Sequence, residues 1–159
     1  YRSSYEIISF AKQIQANDEL EAIERHGSVP EVIGCDSTQA EMQQLQSLIE
    51  TYRHSRYNTL GIIVKTNAAA NALFDSLRHI EGVHLISPES RTFDGGISIT
   101  SIQMAKGLEF DEVILLNANS ETYQSEYDRS LLYVAYTRAM HKLSILYSGK
   151  ISPLVPIVK

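Results

Sequence analysis

The chain has 159 residues, of which 43% are hydrophobic and 21% are charged. This length and composition are sufficient for one globular domain with a sizeable core. The net charge of −5 argues against a protein that coats nucleic acid, because such proteins are basic, but it allows a narrow groove that grips a few phosphates. Cys35 is the single cysteine, which excludes a disulfide framework and a cysteine-based metal site.

No apolar run approaches the roughly 18 residues that span a bilayer, and no signal peptide is visible. The sequence therefore predicts a cytoplasmic protein that does not bind membranes. The chain does not open with methionine, and Tyr1 directly precedes a helix signal. We therefore expect the chain to be a fragment of a longer protein.

The first half of the chain alternates helical patterns with short apolar runs typical of buried strands. A capping-box pattern, Ser3-Ser4-Tyr5-Glu6, opens the first helix. A charged segment over residues 18–34, which contains glycine and proline, is predicted to be irregular. The predicted helices cover residues 4–16, 38–53 and 67–80, and the predicted strands cover residues 60–64 and 83–86.

The second half contains three further apolar runs and one long helical pattern. Gly95-Gly96 turns the chain into the first of these strands, and Ser125-Glu126-Tyr127-Asp128 is a second capping-box pattern. The predicted strands cover residues 97–100, 113–116 and 143–147, and the predicted helix covers residues 128–140. The last strand is expected to close the sheet of a domain over residues 1–149, and the tail over residues 150–159 is expected to lie on the surface.

Strands that alternate with helices predict an α/β fold with a mostly parallel sheet and helices on both faces. Ligands of such sheets bind outside the carboxyl ends of the strands, which are therefore the positions where functional residues are expected.

Arg138 is the most conspicuous residue of the last predicted helix. The helix is apolar nearly all round and should be buried, and Arg138 lies on the edge of its apolar face, seven residues after Leu131. A guanidinium keeps its charge, so burying it unpaired is costly. Arg138 either pairs with a carboxylate, for which Glu109, Asp111 and Glu126 are the candidates, or points into a polar cleft toward an anion.

The chain lacks the motifs of a complete catalytic machine. It has no G-x-x-x-x-G-K-[ST] phosphate loop, no G-x-G-x-x-G and no H-E-x-x-H, and its five histidines are scattered. By itself it is therefore expected not to hydrolyse ATP and to hold no metal.

Two short stretches suit a nucleotide. Between two strands, Gly107 permits a tight turn or a close backbone approach, Glu109 could accept hydrogen bonds from ribose hydroxyls, and Lys106 could pair with a phosphate. At the start of the chain, Tyr1 could stack on a base and Arg2 could touch a phosphate. The alternative is structural in both cases: a polar connection at the first stretch and a polar cap at the second.

In this order, three stretches resemble motifs IV, V and VI of the second RecA-like domain of superfamily 1 helicases of the UvrD/Rep type. The stretches are Tyr1–Ser4, Thr100–Phe110 and Asp128–Ala139. The resemblance covers essentially the whole chain and implies a three-layer, RecA-like fold of the P-loop NTPase type.

By that resemblance, Tyr1 would stack on adenine, Arg2 and Arg138 would reach the γ-phosphate as catalytic arginine fingers, and Glu109 would hold the ribose. Three further residues would lie near the backbone of single-stranded DNA: Thr100, Ser101 and Gln103. ATP with Mg²⁺ would be bound mainly by a first RecA-like domain upstream of Tyr1.

The resemblance thus implies the C-terminal motor half of an ATP-dependent DNA helicase or translocase. Members that separate strands carry a large accessory domain between motifs IV and V, whereas only residues 87–96 separate two strands here. This favours the HelD-like branch, which includes ATPases that bind RNA polymerase and remodel it. A third reading is a RecA-like domain that serves interaction alone, in which case Arg2, Glu109 and Arg138 should not converge.

Overall fold

The computed structural model describes residues 4–13, 29–88 and 95–156. Five helices and six strands lie in this part of the chain. In chain order they are α1 (Tyr5–Lys12), β1 (Glu31–Cys35), α2 (Thr38–Arg53), β2 (Thr59–Val64), α3 (Asn67–Ser76), β3 (Val83–Leu85), β4 (Gly96–Ser101), α4 (Ile102–Ala105), β5 (Phe110–Leu115), α5 (Glu126–Tyr136) and β6 (Ala139–Ser148).

A serine or threonine begins each of the described helices. In every case the side-chain oxygen accepts a hydrogen bond from the backbone amide three residues further on, which satisfies one of the amides that the first turn leaves without a partner. The capping residues are Ser4, Ser37, Thr66, Ser101 and Ser125. At Ser125 the predicted capping box is confirmed, because the Asp128 side chain bonds back to the Ser125 amide.

The strands form one sheet in the order β1-β6-β5-β2-β4-β3, and every described pairing is parallel. One hydrophobic cluster lies between the sheet and α1, α4 and α5, and a second lies between the sheet and α2 and α3. Helices therefore cover both faces, and the prediction of a three-layer α/β fold is confirmed. No described helix is both long and apolar enough to cross a membrane.

The prediction for residues 18–34 is wrong over its last four residues, since Glu31–Cys35 is a strand. This strand pairs with β6 and forms the edge of the sheet. β6 is therefore not the edge strand that was expected from the sequence. A Cβ on Gly34 would lie 2.8 Å from the hydroxyl of Tyr147, the residue opposite it, so a larger residue there would have to displace the end of that tyrosine side chain. Residues 14–28 lie outside the described part.

The last predicted helix ends earlier than expected, at Tyr136 rather than Met140, and Ala139 already belongs to β6. The Thr137 hydroxyl donates to the carbonyls of Tyr133 and Val134, both at 3.0 Å. Such back-bonding to the preceding turn also occurs inside helices, so it accompanies the end of α5 without explaining it; the chain leaves the helix to enter β6 at Ala139. The helix predicted over residues 67–80 likewise ends early, at Ser76.

The tail was predicted to lie on the surface, and the structure contradicts this for Ser152 and for residues 154–156, which are buried, while Lys150 and Pro153 are exposed. Leu154 and Val155 are buried and belong to the core beside α1 and α5. Ser152 holds the tail in place, since its amide donates to Ala118 O at 3.0 Å and its hydroxyl to Tyr123 O at 2.8 Å. The prolines suggested an exposed tail, but burial of Leu154 and Val155 and the Ser152 hydrogen bonds stabilise a tail packed against the core.

Candidate functional site

The predicted site residues that the structure describes fall at two opposite edges of the sheet. Residues 106–109 and Arg138 directly precede β5 and β6, so they lie at the amino-terminal edge. Thr100 and Ser101 end β4, so they lie at the carboxyl edge. The nucleotide candidates therefore lie at the opposite edge from the carboxyl ends of strands where functional residues were expected, because the crossover through α4 carries the chain from one edge to the other.

At the amino-terminal edge, Arg138 is held against the loop over residues 106–109. Its Nη1 donates to Leu108 O at 3.3 Å and its Nε to Val134 O at 3.1 Å. The backbone reinforces this contact, since Phe110 N donates to Arg138 O at 2.9 Å. Arg138 thus lies in the connection after α5, half-buried, and not on the helix face where the sequence placed it.

Two of the three carboxylates considered as partners of Arg138 have other partners. Asp111 accepts from the backbone amides of Asn58 and Thr59, at 2.9 and 3.3 Å. Glu126 pairs with Arg129 at 3.3 Å. Among the three, only Glu109 lies on the loop that Arg138 contacts.

The loop itself presents its predicted nucleotide-binding residues to solvent. Lys106, Gly107 and Glu109 are all exposed. Gly107 has a φ of 84°, the left-handed conformation that favours glycine, so the predicted tight turn is confirmed. Tyr1 and Arg2 lie outside the described residues.

At the carboxyl edge, the three residues predicted to contact nucleic acid differ in whether their side chains can reach a ligand. The Thr100 hydroxyl is buried and donates to Ser101 O at 2.9 Å, so it cannot reach a strand of DNA directly. The Ser101 hydroxyl caps α4 by accepting from Met104 N at 3.2 Å. Gln103 is exposed.

Gln103 and Ser101 line a cavity of about 190 Å³ at this edge. The other lining residues come from the end of β2, the start of α3 and the first half of α5. They are Lys65, Thr66, Asn67, Tyr127 and Leu131. Lys65, Thr66 and Asn67 were not singled out from the sequence, although they directly follow a predicted buried strand, where the carboxyl-edge rule would have found them.

Lys65 ties this cavity to α5. Its Nζ lies 2.8 Å from Asp128 Oδ1, donates to Thr122 O at 2.6 Å and lies 5.5 Å from the centre of the Tyr123 ring. Asp128 also accepts from the amides of Gln124 and Ser125, at 2.7 and 3.1 Å. Burial alone would raise the Asp128 pKa, but these hydrogen bonds and Lys65 outweigh it and lower the pKa to about 2.

We expect Asp128→Ala to destabilise the chain by about 2–4 kcal/mol, because it removes a capping box and leaves a half-buried Lys65 without its carboxylate. The exposed pair of Asp75 and Arg78 provides the control, since Asp75→Ala should cost less than about 1 kcal/mol. The measurement is urea-induced unfolding at pH 7. Equal losses in the two variants would contradict the structural role of Asp128.

The lowered pKa also sets the pH dependence of this contribution. A carboxylate whose folded-state pKa lies below its unfolded value stabilises the fold above the unfolded value, 3.8, and that contribution disappears as the pH falls toward 2. The difference in the free energy of unfolding between wild type and Asp128→Asn should therefore become smaller over this pH interval.

Comparison with a known protein family covers most of the site residues described above. Residues 96–146 match the family model of the UvrD-like helicase C-terminal domain. The whole chain also matches the crystal structure of the C-terminal domain of a possible DNA helicase from Lactobacillus plantarum WCFS1, with a TM-score of 0.84, 38% identity and 94% of that chain covered. No relative is found among curated protein sequences.

Proposed function

Because the chain belongs to the family of UvrD-like helicase C-terminal domains, we propose that it is the C-terminal motor half of an ATP-dependent DNA helicase or translocase. The observation that carries this proposal is the hydrogen bond from Arg138 to Leu108 O. It holds a permanent cation beside the exposed Glu109, at an edge of the sheet where a second domain could close.

In this proposal Arg138 acts as an arginine finger. Phosphoryl transfer is catalysed mainly by positioning and by stabilising charge, and a guanidinium forks onto phosphate oxygens without ever losing its proton. Glu109 would accept from the ribose hydroxyls, and Lys106 and Gly107 would approach the nucleotide. Tyr1 and Arg2 would complete the site with adenine stacking and a second guanidinium, and the first RecA-like domain would supply the phosphate loop and the site for Mg²⁺.

Single-stranded DNA would bind at the opposite, carboxyl edge. Support comes from the cavity that Gln103, Ser101, Thr66 and Asn67 line, since such side chains hydrogen-bond phosphates and sugars. The acidic net charge, −5, fits a local groove better than a broad basic surface. Hydrolysis at one edge would then be coupled to movement along a strand at the other through closure of the two domains.

The test uses the full-length protein. We expect ATP hydrolysis that single-stranded DNA stimulates, and we expect the double variant Asn67→Ala/Gln103→Ala to weaken DNA binding while basal hydrolysis persists. Gln46→Ala, which changes an exposed glutamine on α2, is the control and should bind normally. Hydrolysis that DNA does not affect, with unchanged affinity in the double variant, would contradict the proposal.

A second function is favoured by the connection between β3 and β4. These strands pair directly, and the chain runs from Leu85 to Gly96 between them, which leaves no room for an accessory domain. The alternative is therefore a HelD-like factor that uses ATP to remodel RNA polymerase. Co-purification with polymerase and no duplex unwinding would support it, whereas processive unwinding without polymerase binding would contradict it.

A further inference from the structure

Tyr127 is the most exposed large apolar side chain of the described residues, with 70% of its surface accessible. It lies in the first turn of α5 and lines the cavity at the carboxyl edge together with Asn67 and Gln103. Leaving a tyrosine ring in water gives up the free energy that its burial would contribute. An exposed ring beside a polar cavity is therefore a surface on which a flat, apolar ligand can stack.

The backbone that carries this ring is firmly held on both sides. Ser125 caps the helix two residues before it, and Asp128, the residue after it, accepts from two backbone amides and pairs with Lys65. A tyrosine has only two side-chain torsions, so a ligand that stacks on it loses little conformational entropy in ordering the ring.

We propose that Tyr127 is a stacking platform for an unpaired base of the single strand, a role that deepens the proposed function and depends on it. The polar groups of Asn67 and Gln103 would contact the sugar-phosphate backbone next to the ring. Stacking on an aromatic face is open to every base, because each has a π-face. The contact would therefore select single strand over duplex, whose bases are already stacked on one another, with little preference for sequence.

The experiment compares two oligonucleotides of equal length and charge, oligo(dT) and an abasic strand, binding to the full-length protein at fixed salt. Because both carry the same phosphates, the difference in their affinities reports the bases. The variants are Tyr127→Ala and Tyr127→Phe, with Tyr5→Ala as the control for an exposed tyrosine, 46% accessible, on α1.

We expect Tyr127→Ala to lose about tenfold in affinity for oligo(dT) and to keep its affinity for the abasic strand. Tyr127→Phe and Tyr5→Ala should behave as wild type. Equal losses on both strands, or no loss on either, would overturn the stacking role while leaving the single-strand site in place. Failure of the wild type to bind either strand would overturn the single-strand site of the proposed function together with the platform.

Discussion

In the full-length protein, we expect Arg138→Ala to lower the rate of ATP hydrolysis on the order of a thousandfold, as loss of an arginine finger does elsewhere. In the proposed finger role, the guanidinium stabilises the charge of the transition state, and the variant loses that stabilisation. Arg138→Lys should restore little of the rate, because an ammonium cannot fork onto two phosphate oxygens.

Two controls separate catalysis from folding. Arg138 donates to Leu108 O and Val134 O, so the variant must be shown to keep a cooperative unfolding transition. Arg129→Ala changes another arginine of the same motif, one that pairs with the exposed Glu126, and should leave the turnover nearly unchanged. If Arg138→Ala folds and retains near-normal turnover, the finger role is wrong.

The second large effect concerns Glu112, a carboxyl buried in β5. It is 0% exposed, and neither of its oxygens has a hydrogen-bond partner in the structure; Lys142 Nζ lies 4.0 Å away on β6. Burial raises the Glu112 pKa from 4.5 to about 7, Lys142 opposes the rise, and Glu31 adds to it. We therefore expect the protonation state of Glu112 to change near neutral pH.

The direction of the effect on stability follows from the raised pKa. Below pH 4.5 the carboxyl is protonated in both states and costs nothing extra. As the pH rises toward 7, the unfolded chain ionises first, so the folded state is penalised progressively, by about 3 kcal/mol once the pH exceeds the folded value.

We therefore expect Glu112→Gln to be more stable relative to wild type at pH 8 than at pH 4, by about 3 kcal/mol, since an amide does not ionise. Urea-induced unfolding across this pH range measures the difference. Glu121→Gln, at an exposed glutamate, should show no such trend. If the free energy of unfolding of Glu112→Gln changes with pH in parallel with that of wild type, the Glu112 carboxyl is not the source of the pH dependence.

Periodicity predicted the interior of the fold well. The helix at residues 38–53 and the strand around residues 60–64 were identified because their apolar residues recur at the spacing of a helix or fill a strand buried on both faces. β1 was missed because an edge strand, half-exposed and interrupted by Gly34, carries neither signal. The end of α5 was missed because the apolar pattern continues to Ala139, which instead begins β6 and pairs with Phe110 of β5.

The candidate site was predictable only where its residues belong to recognisable motifs. The loop around Gly107 and its neighbour Arg138 come from two recognisable stretches, and the structure brings them together. The cavity at the other edge draws residues from α3, β4, α4, α5 and the turn after β2, so no single stretch of sequence predicts it. Tyr127 in particular reads in the sequence as an ordinary residue on the outer face of a helix.

The crossover through α4 joins Ser101, at the carboxyl edge, to Glu109, at the amino-terminal edge. Ile102 and Ala105 are fully buried, and packed interiors resist compression, so α4 is anchored in the core between the two edges. In the proposed function, a displacement of Glu109 on nucleotide binding would reach Gln103 through this helix. The same nine residues would act as a lever, with a nucleotide at one end and a strand of nucleic acid at the other.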